Sequence, residues 1–121
     1  MLPERLAVCR LAPNDKLPEW GIKGKFWSVL RSGTELSIVC SQKFVPEGIK
    51  CEAGWRAFKV VGTIPFELTG VLASIANPLA DAGISIFAIS SYDTDYVLVK
   101  EENLDRATSV LNSAGHELKS T

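Results

Sequence analysis

The segment that decides the fold reads FKVVGTIPFELTGVLASIANPLADAGISIFAISSYDTDYVLVKEENLDRATSVLNSAGHEL, residues 58–118 of this 121-residue chain. Its β-rich runs at 58–62, 84–91 and 96–100 predict strands. Between the first two runs, apolar side chains recur at three- and four-residue spacings, which predicts a helix with one buried face. A second helix and a short final strand at 116–118 complete the predicted order βαββαβ.

The first helix carries its own start and stop signals. Thr69 is the predicted N-cap, and Gly83 occupies the position of a C′ glycine. Pro78 lies inside the helix and removes the hydrogen bond to the carbonyl of Ser74. We expect the helix to bend there rather than stop, with the side chains of Ser74 and Asn77 satisfying the freed backbone groups.

The strands at 84–91 and 96–100 are predicted to pair antiparallel, with the reversal at residues 93–95. Asn103 is the predicted cap of the second helix, and Gly115 is expected to end it. Apolar residues point to both sides of these strands instead of alternating with polar ones. One face is expected to lie under the helices, and the other requires a partner sheet or a second subunit.

The N-terminal half predicts a strand, a connector and a hairpin. The strand at 6–11 ends at a turn, and the connector has room for one or two helical turns. Strands at 26–30 and 35–40 are expected to form a hairpin in which Gly33 takes a positive φ. A further strand at 55–61 joins the two halves.

Two units follow from this pattern. Residues 55–121 form the complete βαββαβ unit, whereas residues 1–54 are interpreted as a degenerate copy, because they lack a good first helix and leave little room for a second. The predicted fold class is therefore α+β: two ferredoxin-like units with antiparallel sheets, the N-terminal one degenerate.

Composition argues against several classes of protein. Thirteen basic and fourteen acidic residues give a net charge of −1 without a basic run, so nucleic acid is not an expected partner. No apolar stretch approaches the roughly 18–20 residues that span a bilayer, and no secretory signal is visible, so we expect a cytoplasmic protein that does not bind membranes. Cys9, Cys40 and Cys51 lack metal-site spacing. We interpret Cys9 and Cys40 as small hydrophobes, with redox chemistry as the minor alternative.

Residues 61–73, 79–86 and 89–99 resemble the ACT domain family, and in particular the regulatory units of aspartate kinases and of cytosolic amino-acid sensors. The resemblance implies that an amino acid binds between two ACT units, through the loop before the first helix and a facing strand, and that the protein forms a homodimer. The chain departs from well-known members in two ways. It carries no catalytic domain, and Leu68 stands where some sensors of cationic amino acids have an acidic residue, which argues against arginine or lysine as the ligand.

The predicted site joins a helix N-terminus, which favours a carboxylate, to acidic side chains that accept hydrogen bonds from an α-ammonium group. Its candidate ligand-binding residues are Glu67, Thr69, Gly70, Ser91, Tyr92, Asp93, Thr94 and Asp95. The alternatives are structural: Gly70 allows close packing, Asp93 and Asp95 bond their own backbone in an ordinary turn, Tyr92 is a cross-strand aromatic, and Glu67 is a solvated charge.

Catalysis has little support in the sequence. His116 is the only histidine, and its position beside Gly115 favours a capping or surface role. We predict no enzyme, no catalytic residue, no metal site and no cofactor. The predicted function is metabolite sensing, with a small amino acid as ligand and a regulated protein as possible partner. The alternative is a protein-interaction module that has kept the fold and lost the ligand.

Overall fold

A computed structural model of the chain describes residues 1–60 and 71–116. Residues 4–55 form one compact unit, and residues 1–3 together with the chain from Arg56 onward form the other. The strands are β1 (Leu6–Leu11), β2 (Ser28–Arg31), β3 (Leu36–Ser41), β4 (Cys51–Lys59), β5 (Ile86–Ser90) and β6 (Asp95–Lys100), and the helices are α1 (Val71–Asp81) and α2 (Leu104–Ser113). Short 3-10 turns lie at Glu19–Ile22, Gln42–Phe44 and Glu101–Asn103.

The N-terminal unit is an antiparallel array in which the strand order is β2-β3-β1-β4. The predicted strand, turn and hairpin are confirmed, although β2 begins two residues later than expected, and the 3-10 turn Glu19–Ile22 is the predicted short helical connector. Side chains from one face of β1 and β3 form the core of this unit: Ala7, Cys9, Leu36, Ile38 and Cys40. Cys9 and Cys40 are buried, as predicted for small hydrophobes.

The β2–β3 reversal is made differently from the prediction. Gly33 is not among the glycines with positive φ, so the expectation that it supplies a left-handed residue is wrong. The side chain of Ser32 stabilises the turn instead: its Oγ accepts hydrogen bonds from the backbone N–H groups of Thr34, at 3.2 Å, and Glu35, at 3.3 Å. A serine hydroxyl can bond nearby backbone in this way at no cost in backbone strain.

A β-bulge interrupts the pairing of β1 with β4. Leu6 lies opposite Trp55, but Val8 lies opposite Glu52, so β4 contains one extra residue at this point. Gly54 has a φ of +81°, and its N–H donates to Oε1 of Gln42 at 2.8 Å. A glycine with positive φ is a common way to accommodate a bulge.

The C-terminal unit has the strand order β4-β6-β5 and carries both helices. β5 and β6 pair antiparallel with Phe87 opposite Leu98, as predicted. Helices and sheet bury a common core: Phe58, Ile75, Leu79, Ile84, Val97, Val99, Ala107 and Leu111. Leu98 points to the opposite face of β6 and is also fully buried, which confirms that both faces of this strand are apolar.

Both helices end as the glycines predict. Gly83 has a φ of +74°, and Ile84 N–H donates to the carbonyl of Leu79 at 2.9 Å; Gly115 has a φ of +91° and ends α2 in the same way. Asn103 does occupy the N-cap position of α2, but its side chain makes no capping hydrogen bond, so that part of the prediction is wrong. The predicted cap Thr69 lies outside the described residues.

Helix α1 continues through Pro78, as expected. The Ser74 carbonyl, which loses its helical donor to this proline, is bonded by Nε2 of His116 at 2.8 Å. This partner lies 42 positions away and is not one of the predicted ones, the side chains of Ser74 and Asn77. His116 itself is not in a strand, and the rest of the predicted final strand lies outside the described residues.

Candidate ligand site

The turn between β5 and β6 carries most of the candidate residues that the structure describes. Ser91 closes this turn, since its backbone N–H donates to the carbonyl of Thr94 at 2.8 Å and its Oγ donates to the same oxygen at 3.2 Å. In the alternative interpretation, the carboxylates of Asp93 and Asp95 would close the turn by bonding their own backbone. Because Ser91 makes the closing bonds, Asp93 and Asp95 are not required for that purpose.

The two aspartates differ in their surroundings. Asp93 lies at the tip of the turn and is exposed. Asp95 is half-buried as the first residue of β6, and its Oδ1 accepts a hydrogen bond from Oγ of Ser90 directly across the strand pair. Ser90 therefore fixes the orientation of one carboxylate and leaves its second oxygen, with further lone pairs, for another donor.

Tyr92 is 80% exposed and lies between the ends of β5 and β6. It is outside both strands, so its interpretation as a cross-strand aromatic is wrong. The aromatics that pair across these strands are Phe87, opposite Leu98, and Tyr96, opposite Ile89. Tyr92 is thus a largely exposed aromatic residue next to Asp93 in the turn.

Glu67, Thr69 and Gly70 lie outside the described residues. The last described residue before this segment, Val60, lies beside the turn, since its backbone N–H donates to the carbonyl of Asp95 at 2.9 Å. After the segment, α1 begins at Val71, and its first turn contains no acidic residue. The positive end of the helix dipole is therefore not neutralised by a carboxylate from that turn.

Two other kinds of feature are absent from the described part of the chain. It contains no group of three or more histidine, cysteine, aspartate or glutamate side chains suited to a metal ion. Among the described residues there is also no helix long and apolar enough to cross a membrane. His116 is engaged with the backbone of α1, in keeping with the structural role expected for it.

The sequence profile of the ACT domain matches residues 50–113, more than half of the chain. The chain belongs to the ACT domain family. A second profile, describing an N-terminal domain, matches residues 4–48. The predicted resemblance is thus confirmed, and so is the α+β, ferredoxin-like fold class with antiparallel strands.

Relatives with known structures or curated descriptions support the same placement. Protein Atu0741 from Agobacterium tumefaciens is 32% identical, superimposes with a TM-score of 0.88, and aligns over 98% of this chain and 92% of its own. The Homo sapiens protein "Cytosolic arginine sensor for mTORC1 subunit 1" is 38% identical over 58 residues, which are 47% of this chain and 18% of the sensor. The regulatory subunit of aspartate kinase from Thermus thermophilus shares the fold at 15% identity, with a TM-score of 0.67 and 93% of each chain covered.

This ACT-family chain spans between 18% and 63% of the length of the curated relatives it matches. The match to the arginine sensor covers less than half of the chain. The ligands and partners of these longer relatives are therefore properties of the relatives themselves.

Two features of the candidate site are absent from the predicted residue set. Ser90 is outside the candidate set, because its hydrogen bond to Asp95 depends on the β5–β6 register. Val60 is outside it because its contribution is a hydrogen bond from its backbone N–H to the Asp95 carbonyl. Alternation along the strand could have found Ser90, whereas no side-chain signal identifies Val60.

Proposed function

We propose that this ACT-family protein is a regulatory amino-acid-binding protein and that its ligand site joins the β5–β6 turn to the segment before α1. The observation that carries the proposal is the placement of Asp93 and Asp95. Both are near the surface, neither is needed to close the turn, and Asp95 is held in place by Ser90 beside the point where the chain enters the predicted loop.

The chemistry of the two parts is complementary to an amino-acid zwitterion. Carboxylates of Asp93 and Asp95 accept hydrogen bonds from an α-ammonium group, and charge-assisted bonds of this kind are about twice as strong as neutral ones. The N-terminus of α1, with Thr69 and Gly70 before it, offers backbone N–H groups and a positive dipole to the α-carboxylate. Ser91, Thr94 and Tyr92 add neutral polar contacts, and Glu67 adds an acidic one.

The class of ligand follows from the absence of an acidic side chain at position 68. Leu68 cannot pair with a guanidinium or ammonium side chain, so we expect a small uncharged amino acid rather than arginine or lysine. Relatives support regulation as the role, since one is named an arginine sensor and another is a regulatory subunit. In this proposal, binding changes the association of the chain with a protein that it regulates.

The test is a calorimetric titration with each standard amino acid. At least one is expected to bind, and Asp95→Ala should weaken its binding roughly tenfold or more, because a hydrogen bond to a charged group contributes about 1.5–3 kcal/mol. Asp81→Asn is the matched control. It also removes a carboxylate, but an exposed one at the far end of α1, about 15 Å of helix away from residue 71.

The proposal would be contradicted if no amino acid at millimolar concentration produced binding heat or thermal stabilisation.

The second candidate function, a protein-interaction module without a ligand, is supported by Tyr92, whose 80% exposure is unusual for a large aromatic side chain. Under that function, Tyr92→Ala would weaken partner binding and Asp95→Ala would leave it unchanged.

A further inference from the structure

The three cysteines of the chain, distant in sequence, meet on adjacent strands of the N-terminal unit. Cys9 on β1 lies directly opposite Cys51 on β4, and Cys40 on β3 lies on the same face, diagonal to Cys9. Cys9 and Cys40 are buried with 1% and 0% exposure, whereas Cys51 is exposed. Cys51 is thus exposed to solvent, and its cross-strand neighbour Cys9 is buried.

The backbone geometry at Cys9 and Cys51 suits a disulfide. The N–H of Arg10 donates to the carbonyl of Lys50 at 2.9 Å, so Arg10 and Lys50 form a hydrogen-bonded pair and the preceding pair is a non-hydrogen-bonded one. Cα atoms in such pairs lie about 4.5 Å apart, within the range of about 4.4–6.8 Å that disulfides span. The two side chains leave the same face of the sheet.

The bulge at Gly54 creates this pairing. In the register that Leu6 and Trp55 define, Cys9 would face Glu52, and Cys51 would point to the other side of the sheet. The extra residue in β4 shifts the register by one and places Cys51 opposite Cys9. Placement of the two thiols is therefore a consequence of a specific irregularity of the strand.

We propose that Cys9 and Cys51 are a redox pair, in which a hydroperoxide oxidises Cys51 and Cys9 then resolves it to an intramolecular disulfide. This site is independent of the proposed amino-acid site.

The reaction balances in two steps. The Cys51 thiolate attacks the O–O bond of hydrogen peroxide, takes up one oxygen as sulfenic acid, and releases hydroxide, which receives a proton to form water. Cys9 then attacks the Cys51 sulfur, the S–OH bond breaks, and the departing hydroxide takes the Cys9 proton as a second water. The two sulfurs lose two electrons in total, and the peroxide gains them.

The surroundings of Cys51 and Cys9 determine which of the two is oxidised first. The hydrogen bond with Cys40 and burial raise the pKa of Cys9, so Cys9 keeps its proton and is not the group that a peroxide meets first. Cys51 is the accessible sulfur, and accessible thiols are the ones that oxidants modify. Cys9 needs only to reach an adjacent sulfenic acid, for which its position across the strand pair is sufficient.

The test is mass spectrometry of the full chain after treatment with hydrogen peroxide, alkylation of remaining thiols and digestion with trypsin. Cleavage after arginine and lysine puts each cysteine in its own peptide: Cys9 in 6–10, Cys40 in 32–43 and Cys51 in 51–56. A linked pair of peptides 6–10 and 51–56 is expected from chain that migrates as a monomer under denaturing, non-reducing conditions, lighter than their sum by two hydrogens and separated again by dithiothreitol.

Two variants make the result decisive. Cys51→Ser changes an exposed side chain, so it should fold, and it should lose the linked pair completely; Cys40→Ala should retain it. The proposal is overturned if Cys51 accumulates only as sulfinic or sulfonic acid, if it links only to Cys51 of another chain, or if peptide 6–10 links to 32–43 instead. It is equally overturned if Cys9 stays fully alkylatable after denaturation.

Discussion

At the scale of single residues, Gly54 and Gly33 of the N-terminal unit differ in the backbone conformation that they adopt. Gly54 has a φ of +81° in the bulge, whereas Gly33 has no positive φ, and an added Cβ meets no atom within 4 Å at either position. Gly54→Ala is therefore expected to lower the free energy of unfolding by about 1–2 kcal/mol through backbone strain alone. Urea denaturation followed by tryptophan fluorescence measures this change.

Gly33→Ala is the matched control for Gly54→Ala, because the added methyl group and the open surroundings are the same. It should leave stability unchanged or raise it by about 0.4–1 kcal/mol through reduced freedom of the unfolded chain. Equal destabilisation by the two substitutions would mean that Gly33 does need a left-handed backbone and that Ser32 does not determine the turn.

At the scale of elements, α1 depends on a contact from beyond the end of α2. Nε2 of His116 bonds the Ser74 carbonyl, whose helical donor Pro78 removes. His116→Ala is expected to cost roughly 0.5–1.5 kcal/mol, the usual net contribution of one hydrogen bond. Chemical denaturation of wild type and variant, with unchanged slope against denaturant, measures it.

A double-mutant cycle with Pro78→Ala separates this hydrogen bond from the other contacts of the histidine. Alanine restores the N–H of residue 78, which can then donate to the Ser74 carbonyl within the helix. In that background the cost of His116→Ala should fall towards zero. A cost that is the same in both backgrounds would show that His116 acts through packing and not through the carbonyl.

At the scale of the whole molecule, we expect the homodimer that the family resemblance implies. Within the described residues, β5 pairs only with β6, and we expect a second copy to pair with its other edge. The bond from Ser91 to Thr94 makes Ala88 and Val97 a non-hydrogen-bonded pair, so the Ala88 N–H points to that outer edge. Sedimentation should give twice the monomer mass of 13.2 kDa.

Ala88→Pro should abolish such a dimer, because proline removes the outward N–H while leaving the bonds to β6 in place. Ala88→Ser keeps the N–H at the same exposed position and should remain dimeric. A monomeric wild-type chain would contradict dimer formation itself, and a dimer that survives the proline substitution would place the interface on another surface.

The amino-acid sequence by itself determined the two helices and the β5–β6 strand pair of the C-terminal unit, because these depend on local signals. Apolar spacing specifies α1 and α2, the glycines at 83 and 115 end them, and β-branched residues specify β5 and β6. It also identified the β5–β6 turn as polar and acidic. Each of these signals acts within a few residues of where it is read.

Only the tertiary structure decided which distant groups meet. His116 replaces a donor for Ser74 from 42 residues away, Ser90 reaches Asp95 through strand register, and a one-residue bulge turns Cys51 towards Cys9. A register shift of one residue reverses the face of every side chain beyond it, and nothing in the local pattern of β4 requires it. Local preferences select the elements, but the packing of the folded chain selects their register, and the register places the chemistry.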